Sequence, residues 1–496
     1  MQVTDFLVFN RTSQQSENRV PGRSRMDHFD IRGVVEGFYG RPWSFQERKR
    51  IIDLLGERSC NLYLYAPKND PFHRSRWREA YSSEFVESFR QLVNAGETAG
   101  VDIGFTISPG LSVSYCDRQD TELLLSKLSR FCQIGVKAVG IFFDDIPLKL
   151  TNQNDRENFT SLASAQAMLA NDVFASLKET VPELKTIICP TVYHGDPNNG
   201  YLSELGELLD EEVIVMWTGP EVCSFEIPKD DAKYIYATLK RPILYWDNYP
   251  VNDATMVPEM HIGPYVGRDP KIARYAKGIL LNPMSQAHAS MIPIRAASRF
   301  MNNPVEYDPV VAWMTAIAET CPSNSEDLLH FAEYNTQSPL HPLEPKEPRK
   351  VVEDFRRLFK QGEWAEAVKK LFDESERISS GASNLRENLP AELTQELSPW
   401  LTDYEMLGRI LDRTAKLLWK SSALYSEEPL EKDLRQVKSL AGSLEKDLKS
   451  AISRRTVTGG MAIQNLAIET ITRIKGLFTL LEGKCLQEYE NERRRN

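Results

Sequence analysis

The chain has 496 residues, a formal net charge of −10 and an apolar fraction of 41%. That length predicts two to four domains or one large barrel with an addition, and the apolar share can fill a sizeable core. The acidic balance argues against a nucleic-acid partner, which needs a basic face, and Arg493 to Arg495 read as a solvated tail.

Seven scattered cysteines with no CxxC pair fit thiols used as small core residues in a reducing, cytoplasmic setting, and argue against a structural zinc site. The first twenty residues are polar, so no secretory signal is expected there; residues 1–27, rich in Ser, Arg, Gln and Asn, predict a disordered lead-in, with Met1 or Met26 as the start. The most apolar C-terminal stretch, Met461 to Leu481, is broken by Gln464, Glu469, Arg473 and Lys475. It predicts an amphipathic helix, so no membrane partner is expected.

From residue 30 to about 300, eight apolar runs of strand character alternate with helical patterns: Ile31–Phe38, Asn61–Pro67, Val101–Ser108, Ala138–Asp145, Lys185–Tyr193, Val213–Gly219, Pro242–Asn248 and Lys277–Pro283. Ser44-Phe-Gln-Glu47 is a capping box, Ser82 or Ser83 can cap the next helix, and Asp120 is expected to cap Thr121–Cys132. Eight such units predict a (β/α)8 TIM barrel over 28–303, and continuous apolar strands suit a sheet covered on both faces. The seventh unit is the weakest, because its helix gives way to a Pro- and Gly-containing stretch between Asn248 and Lys277. A helical connector with a Pro-rich stretch is expected over 304–348. An all-α helical bundle follows over 349–488, with Leu401, Tyr404, Leu407, Leu411 and Leu418 on one stripe, and then a charged tail over 489–496.

Barrel enzymes place their chemistry at the C-terminal ends of the strands. Here those ends carry carboxylates, amides, aromatic rings and a lysine, with no Cys-His pair and no Gly-rich phosphate loop. Such groups suit a sugar: amides and carboxylates bond hydroxyls, and aromatic faces cover the ring. Asp144 and Asp145 are the best-placed pair for splitting a glycosidic bond. Repulsion between them should leave one protonated as the general acid. Alone, an Asp-Asp pair at a strand end is more often a cap or a Mg²⁺ ligand. Neighbours on a strand also point to opposite sides, so both can face one site only if the backbone leaves strand geometry.

The surrounding residues decide between these readings. Gly33-Val-Val-Glu-Gly-Phe-Tyr-Gly-Arg-Pro-Trp43, Tyr63-Leu-Tyr-Ala-Pro-Lys68, Ile107-Ser-Pro-Gly110, Phe142-Phe-Asp-Asp145, Cys189-Pro-Thr191, Trp217-Thr-Gly-Pro220 and Trp246-Asp-Asn248 follow in order at barrel-strand spacing. Together they resemble family 84 of the glycoside hydrolases, the O-GlcNAcase family, in a bacterial-type form.

The resemblance implies a retaining exo-β-N-acetylglucosaminidase that works by substrate assistance through an oxazoline-like intermediate. It assigns the acetamido group to Asp144 and acid–base work to Asp145. It places Tyr193 on the acetamido oxygen and Asn248 beside the acetamido group. Gly37, Lys68, Asp253 and Asn282 fall on the hydroxyls, and Tyr39 and Trp246 line the pocket. No metal or organic cofactor is implied. The expected partners are GlcNAc-bearing glycoproteins, glycopeptides or glycosides, together with a homodimer through the C-terminal helices. The competing readings are an endo-acting hyaluronidase-like hydrolase, a non-catalytic N-acetyl-sugar binding protein and a two-metal hydrolase.

Overall fold

The computed structural model describes residues 28–425 and 431–495, with side-chain surroundings described for 28–424 and 431–481. The lead-in expected over 1–27 lies outside the described residues, as do the side chains of the tail at 489–496.

Eight parallel strands close into a barrel in chain order: β1 (Ile31–Glu36), β2 (Leu62–Tyr65), β3 (Asp102–Ile107), β4 (Ala138–Phe142), β5 (Lys185–Cys189), β6 (Ile214–Trp217), β7 (Ile243–Asp247) and β8 (Ala276–Leu281). The ring is completed by β8 pairing with β1, Ile31 opposite Gly278. Each strand lies within or at the edge of one of the apolar runs read from the sequence, because both of its faces are covered. Alternate residues divide between two cores. Ile31, Val35, Leu62, Leu64, Phe142, Ile187, Cys189, Met216 and Trp246 pack inside the barrel. Val34, Tyr63, Tyr65, Val139, Ile188, Val215 and Tyr245 face the helical shell. Burying one such large apolar side chain contributes roughly 1.5–3 kcal/mol.

The helices start where their side chains can cap them. Ser44 and Glu47 form the reciprocal capping box of Phe45–Glu57, and Ser82 caps Ser83–Ala99. Asp120 does not cap. Asp117 does so for the helix Arg118–Gln133, accepting from Gln119 N at 2.9 Å. Asp120 is buried instead, bonded to Arg78 Nε at 2.6 Å and Ser114 N at 2.9 Å. A tertiary ion pair has taken the carboxylate that local pattern assigned to a cap. In the seventh unit only two short 3-10 turns, Ala254–Met256 and Pro270–Arg274, lie between β7 and β8.

Outward-facing carboxylates anchor the loops that follow the strands. Glu36 takes a two-pronged bond from Arg48 at 2.8 and 2.9 Å, a third from Trp43 N at 3.1 Å, and another from Tyr63 Oη. Asp70 accepts from Tyr65 at 2.7 Å, Tyr81 at 2.5 Å and Phe72 N at 2.9 Å. Asp247 pairs with Arg268 at 2.5 Å and accepts from Tyr265 at 2.6 Å. Buried charges persist only when paired and bonded in this way.

The chain divides into two compact units. The first holds the barrel with residues 264–320 and 338–342. The second comprises 257–263, 321–337 and 343–496. The second unit is helical, with Ser325–Glu333, Lys346–Lys360, Trp364–Asn388, Ala391–Ser421, Glu431–Ile452 and Ala462–Arg495. Leu401, Tyr404, Leu407 and Leu411 are buried as their spacing predicts, but Leu418 is only half-buried and Leu417 takes the core position. Among the described residues no helix is long and apolar enough to cross a membrane, and the described cysteines form no disulfide.

Candidate active site

The geometric obstacle at the end of β4 is resolved by the backbone. Phe142 points into the barrel, Phe143 outward, and Asp144 inward again, where it is 7% exposed. Continued strand geometry would send Asp145 outward. Its φ is instead +58°, in the left-handed region. A residue other than glycine seldom adopts that conformation, which costs on the order of 1–3 kcal/mol unless the surroundings hold it. Two phenols do so: Tyr39 Oη donates to Asp145 Oδ2 at 2.6 Å and Tyr193 Oη to Oδ1 at 2.8 Å.

Both aspartates line one cavity of about 180 Å³ at the C-terminal end of the barrel, together with Gly37, Tyr39, Lys68, Tyr193, Trp246, Asn248, Asp253 and Asn282. All the candidates named from the sequence are therefore gathered in one place. The sequence reading passed over Cys189, Thr218, Val222, Cys223, Val251 and Ala254, which also line it. Strand parity carries a signal for two of these. Cys189 continues the inward series from Ile187, and Thr218 the one from Ile214 and Met216. Val222, Cys223 and Val251 sit on loops and Ala254 opens a 3-10 turn, so none of them has such a period.

A chain of amides ties the ends of β1, β7 and β8. Asn248 Oδ1 accepts from Trp246 Nε1 at 2.9 Å and from Asn282 Nδ2 at 2.8 Å. Asn282 Oδ1 accepts from Gly37 N at 3.2 Å, and Asp253 Oδ2 accepts from Tyr39 N at 2.8 Å. Gly37 must be glycine, because a Cβ there would lie 2.1 Å from Trp246 Cζ2.

The two aspartates have different electrostatic surroundings. Asp144 Oδ2 forms an ion pair with Lys68, whose ammonium also lies 5.2 Å from the Trp246 ring centre. Asp144 Oδ1 is buried with no protein hydrogen-bond partner. Asp145 lies at the solvent-accessible mouth. Burial there would raise its pKa, but the Tyr39 phenol, the Lys68 charge, the Tyr193 phenol and Arg74 outweigh this and hold it below the ordinary aspartate value. Repulsion alone had suggested that one carboxyl of the pair keeps its proton in the free protein. Asp145 is shifted the other way, because both its oxygens accept hydrogen bonds. Tyr39 is pushed up to about 12, by burial and by its bond to Asp145. Burial also raises Asp253.

The site thus offers a buried acceptor without a protein partner, a titratable carboxyl at the mouth, and amides and an indole beside them. The β-N-acetylglucosaminidase family model matches residues 32–333, more than half of the chain. The chain is 37% identical to the Protein O-GlcNAcase of Mus musculus over 268 residues, 53% of this chain and 29% of the mouse protein; the protein of the same name from Rattus norvegicus matches to the same extent. The chain spans less than a third of the length of these curated relatives.

Among solved structures, an O-GlcNAc hydrolase of Thermobaculum terrenum, in a mutant form, superposes with a TM-score of 0.87 at 33% identity, covering 92% of this chain and 97% of that one. The protein named CpGH84B superposes with a TM-score of 0.77 at 26% identity, over 89% and 77% of the two chains. The chain belongs to the β-N-acetylglucosaminidase family, family 84 of the glycoside hydrolases.

Proposed function

We propose that this protein is a retaining exo-β-N-acetylglucosaminidase that removes β-linked GlcNAc from protein Ser/Thr or from glycosides, using the substrate's own acetamido group as the nucleophile. Asp144 accepts the acetamido N–H and steadies the positive charge of the oxazoline-like intermediate. Tyr193 donates to the acetamido oxygen as that oxygen attacks C1. Asp145 protonates the departing oxygen, then takes a proton from the water that opens the intermediate. Lys68, Asp253, Asn282 and the Gly37 backbone hold the hydroxyls. Asn248 and Trp246 shape the floor.

The observation that carries this reading is the buried, unpartnered Asp144 Oδ1 beside a paired Oδ2. Leaving such an acceptor unmet costs about 1–3 kcal/mol. A ligand that brings a donor into the cavity recovers that loss, and on an N-acetyl sugar the acetamido N–H is such a donor. The cavity of about 180 Å³ favours a single terminal residue over an internal stretch of polymer, hence exo rather than endo action.

Asp145→Asn should lose cleavage of alkyl or peptide glycosides while sparing activated aryl ones, and Asp144→Asn should lose both. Proton NMR should find the β-anomer as the first product. Equal losses for the two variants, or an α-anomer, would overturn the proposal. Unchanged hyaluronan viscosity during sugar release separates exo from endo action.

A further inference from the structure

Arg74, on the loop after β2, reaches the candidate site through a single side chain. Its Nη1 donates to Tyr39 Oη at 2.6 Å, and its guanidinium lies 5.6 Å from the Tyr39 ring centre. A guanidinium only donates, so Tyr39 must accept from Arg74 and point its single hydroxyl proton at Asp145 Oδ2. Tyr193, which donates to Oδ1, has no such second donor holding its oxygen among the described residues. The two oxygens of Asp145 therefore differ: one phenol is pinned and the other can turn.

We propose that Arg74 is a positioning residue that acts through Tyr39 to direct the catalytic proton to Oδ1 of Asp145. A proton on Oδ2 would weaken a bond that Arg74 keeps in place. A proton on Oδ1 weakens only a bond that can swing away. The inference rests on the function proposed above and deepens it, because there Tyr193 donates to the acetamido oxygen. With one hydroxyl proton it cannot serve that oxygen and Asp145 Oδ1 together. Arrival of an N-acetyl sugar thus withdraws the Tyr193 hydrogen bond from Asp145. Oδ1 then takes a proton from solvent at the open mouth and passes it to the glycosidic oxygen as the C1–O bond breaks, the bond's electron pair leaving with that oxygen. The acid is armed by the group that is also the nucleophile.

The other titratable or charged groups facing Asp145 are Asp144 beside it, Lys68 after β2, Cys189 at the end of β5 and Asp253 after β7. None of these bonds Tyr39 Oη. Asp253 meets only the Tyr39 backbone N–H.

The test uses the full chain and two β-GlcNAc glycosides, one with an alkyl and one with an activated aryl leaving group. Arg74→Met should lower kcat on the alkyl glycoside about tenfold, a fraction of what a general acid supplies. KM and aryl turnover should stay within about twofold. Arg74→Lys, which keeps a donor, should recover most of the loss. Arg74→Met combined with Tyr39→Phe should be no slower than Tyr39→Phe alone. Losses that multiply in the double variant, or that fall equally on both glycosides, overturn the inference.

A wild-type chain that cleaves neither glycoside overturns the proposed function instead. The Arg74–Tyr39 coupling is then read without turnover, by carbon-13 titration of carboxyl-labelled aspartate with Asp145→Asn assigning the signal. Arg74→Met should raise the Asp145 midpoint more when Tyr39 is present than in Tyr39→Phe. Equal shifts in the two backgrounds refute it.

Discussion

Gly37→Ala is the smallest change that should dismantle the site. The added Cβ would sit 2.1 Å from Trp246 Cζ2 and 2.6 Å from Cη2. Carbon atoms pack at about 3.5–4.0 Å, so the indole must retreat by roughly 1.5 Å. It cannot do so freely. Its Nε1 is bonded to Asn248 Oδ1 at 2.9 Å, and the same oxygen takes Asn282 Nδ2 at 2.8 Å. Overpacking of this kind costs about 1–3 kcal/mol. For a domain this large each kcal/mol lowers Tm by about 2–4 °C, and displacing positioning groups by about 1 Å can cost on the order of 10² in rate. A thermal melt with kcat/KM on an aryl β-GlcNAc glycoside reads both. The expected result is a Tm lower by several degrees and a rate lower by about two orders of magnitude. A variant that keeps kcat/KM within threefold would refute the claim that Gly37, Trp246, Asn248 and Asn282 form one interlocked floor.

Other outcomes follow from the same geometry. Lys68→Met removes one partner of a buried ion pair and should destabilise the fold by about 3–5 kcal/mol, as chemical denaturation would read. Glu36→Gln breaks the buried pair with Arg48 and should lower Tm while the surviving folded protein keeps the product anomer unchanged. Asp231 is buried and raised to about 6, by burial against the bonds it accepts from Tyr245 and Trp217. Its folded state binds the proton more tightly than its unfolded state, so stability should fall as pH rises from about 4 to about 6 and level off above that, a change of about 3 kcal/mol. Asp231→Asn should flatten that slope in a pH series of urea melts, and an unchanged slope would refute the assignment.

Much of the architecture was legible because the signals were local and repeated. Eight apolar runs, the Ser44–Glu47 box and the reduced seventh unit each follow from spacing alone. The site was legible because barrel topology converts strand ends into a single ring of positions, so scattered motifs become neighbours. What pattern could not supply was tertiary. Asp117 rather than Asp120 caps its helix because Arg78 claims Asp120. Leu417 replaces Leu418 because a helical stripe drifts as it packs. The turn at Asp145 comes from a left-handed residue held by two distant phenols. Arg74 was invisible because its one site contact is with a tyrosine 35 positions away.

The measurement closest to the central claim makes the acetamido group progressively less nucleophilic. Aryl β-glucosaminides carrying acetyl, monofluoroacetyl, difluoroacetyl and trifluoroacetyl groups on the nitrogen differ little in size. If the substrate's own carbonyl oxygen attacks C1 while Asp144 holds the N–H, kcat/KM should fall steeply with each fluorine. A rate that stays flat across the series would mean that the acetamido group takes no part in bond breaking, and neither Asp144 nor Tyr193 could then act through it.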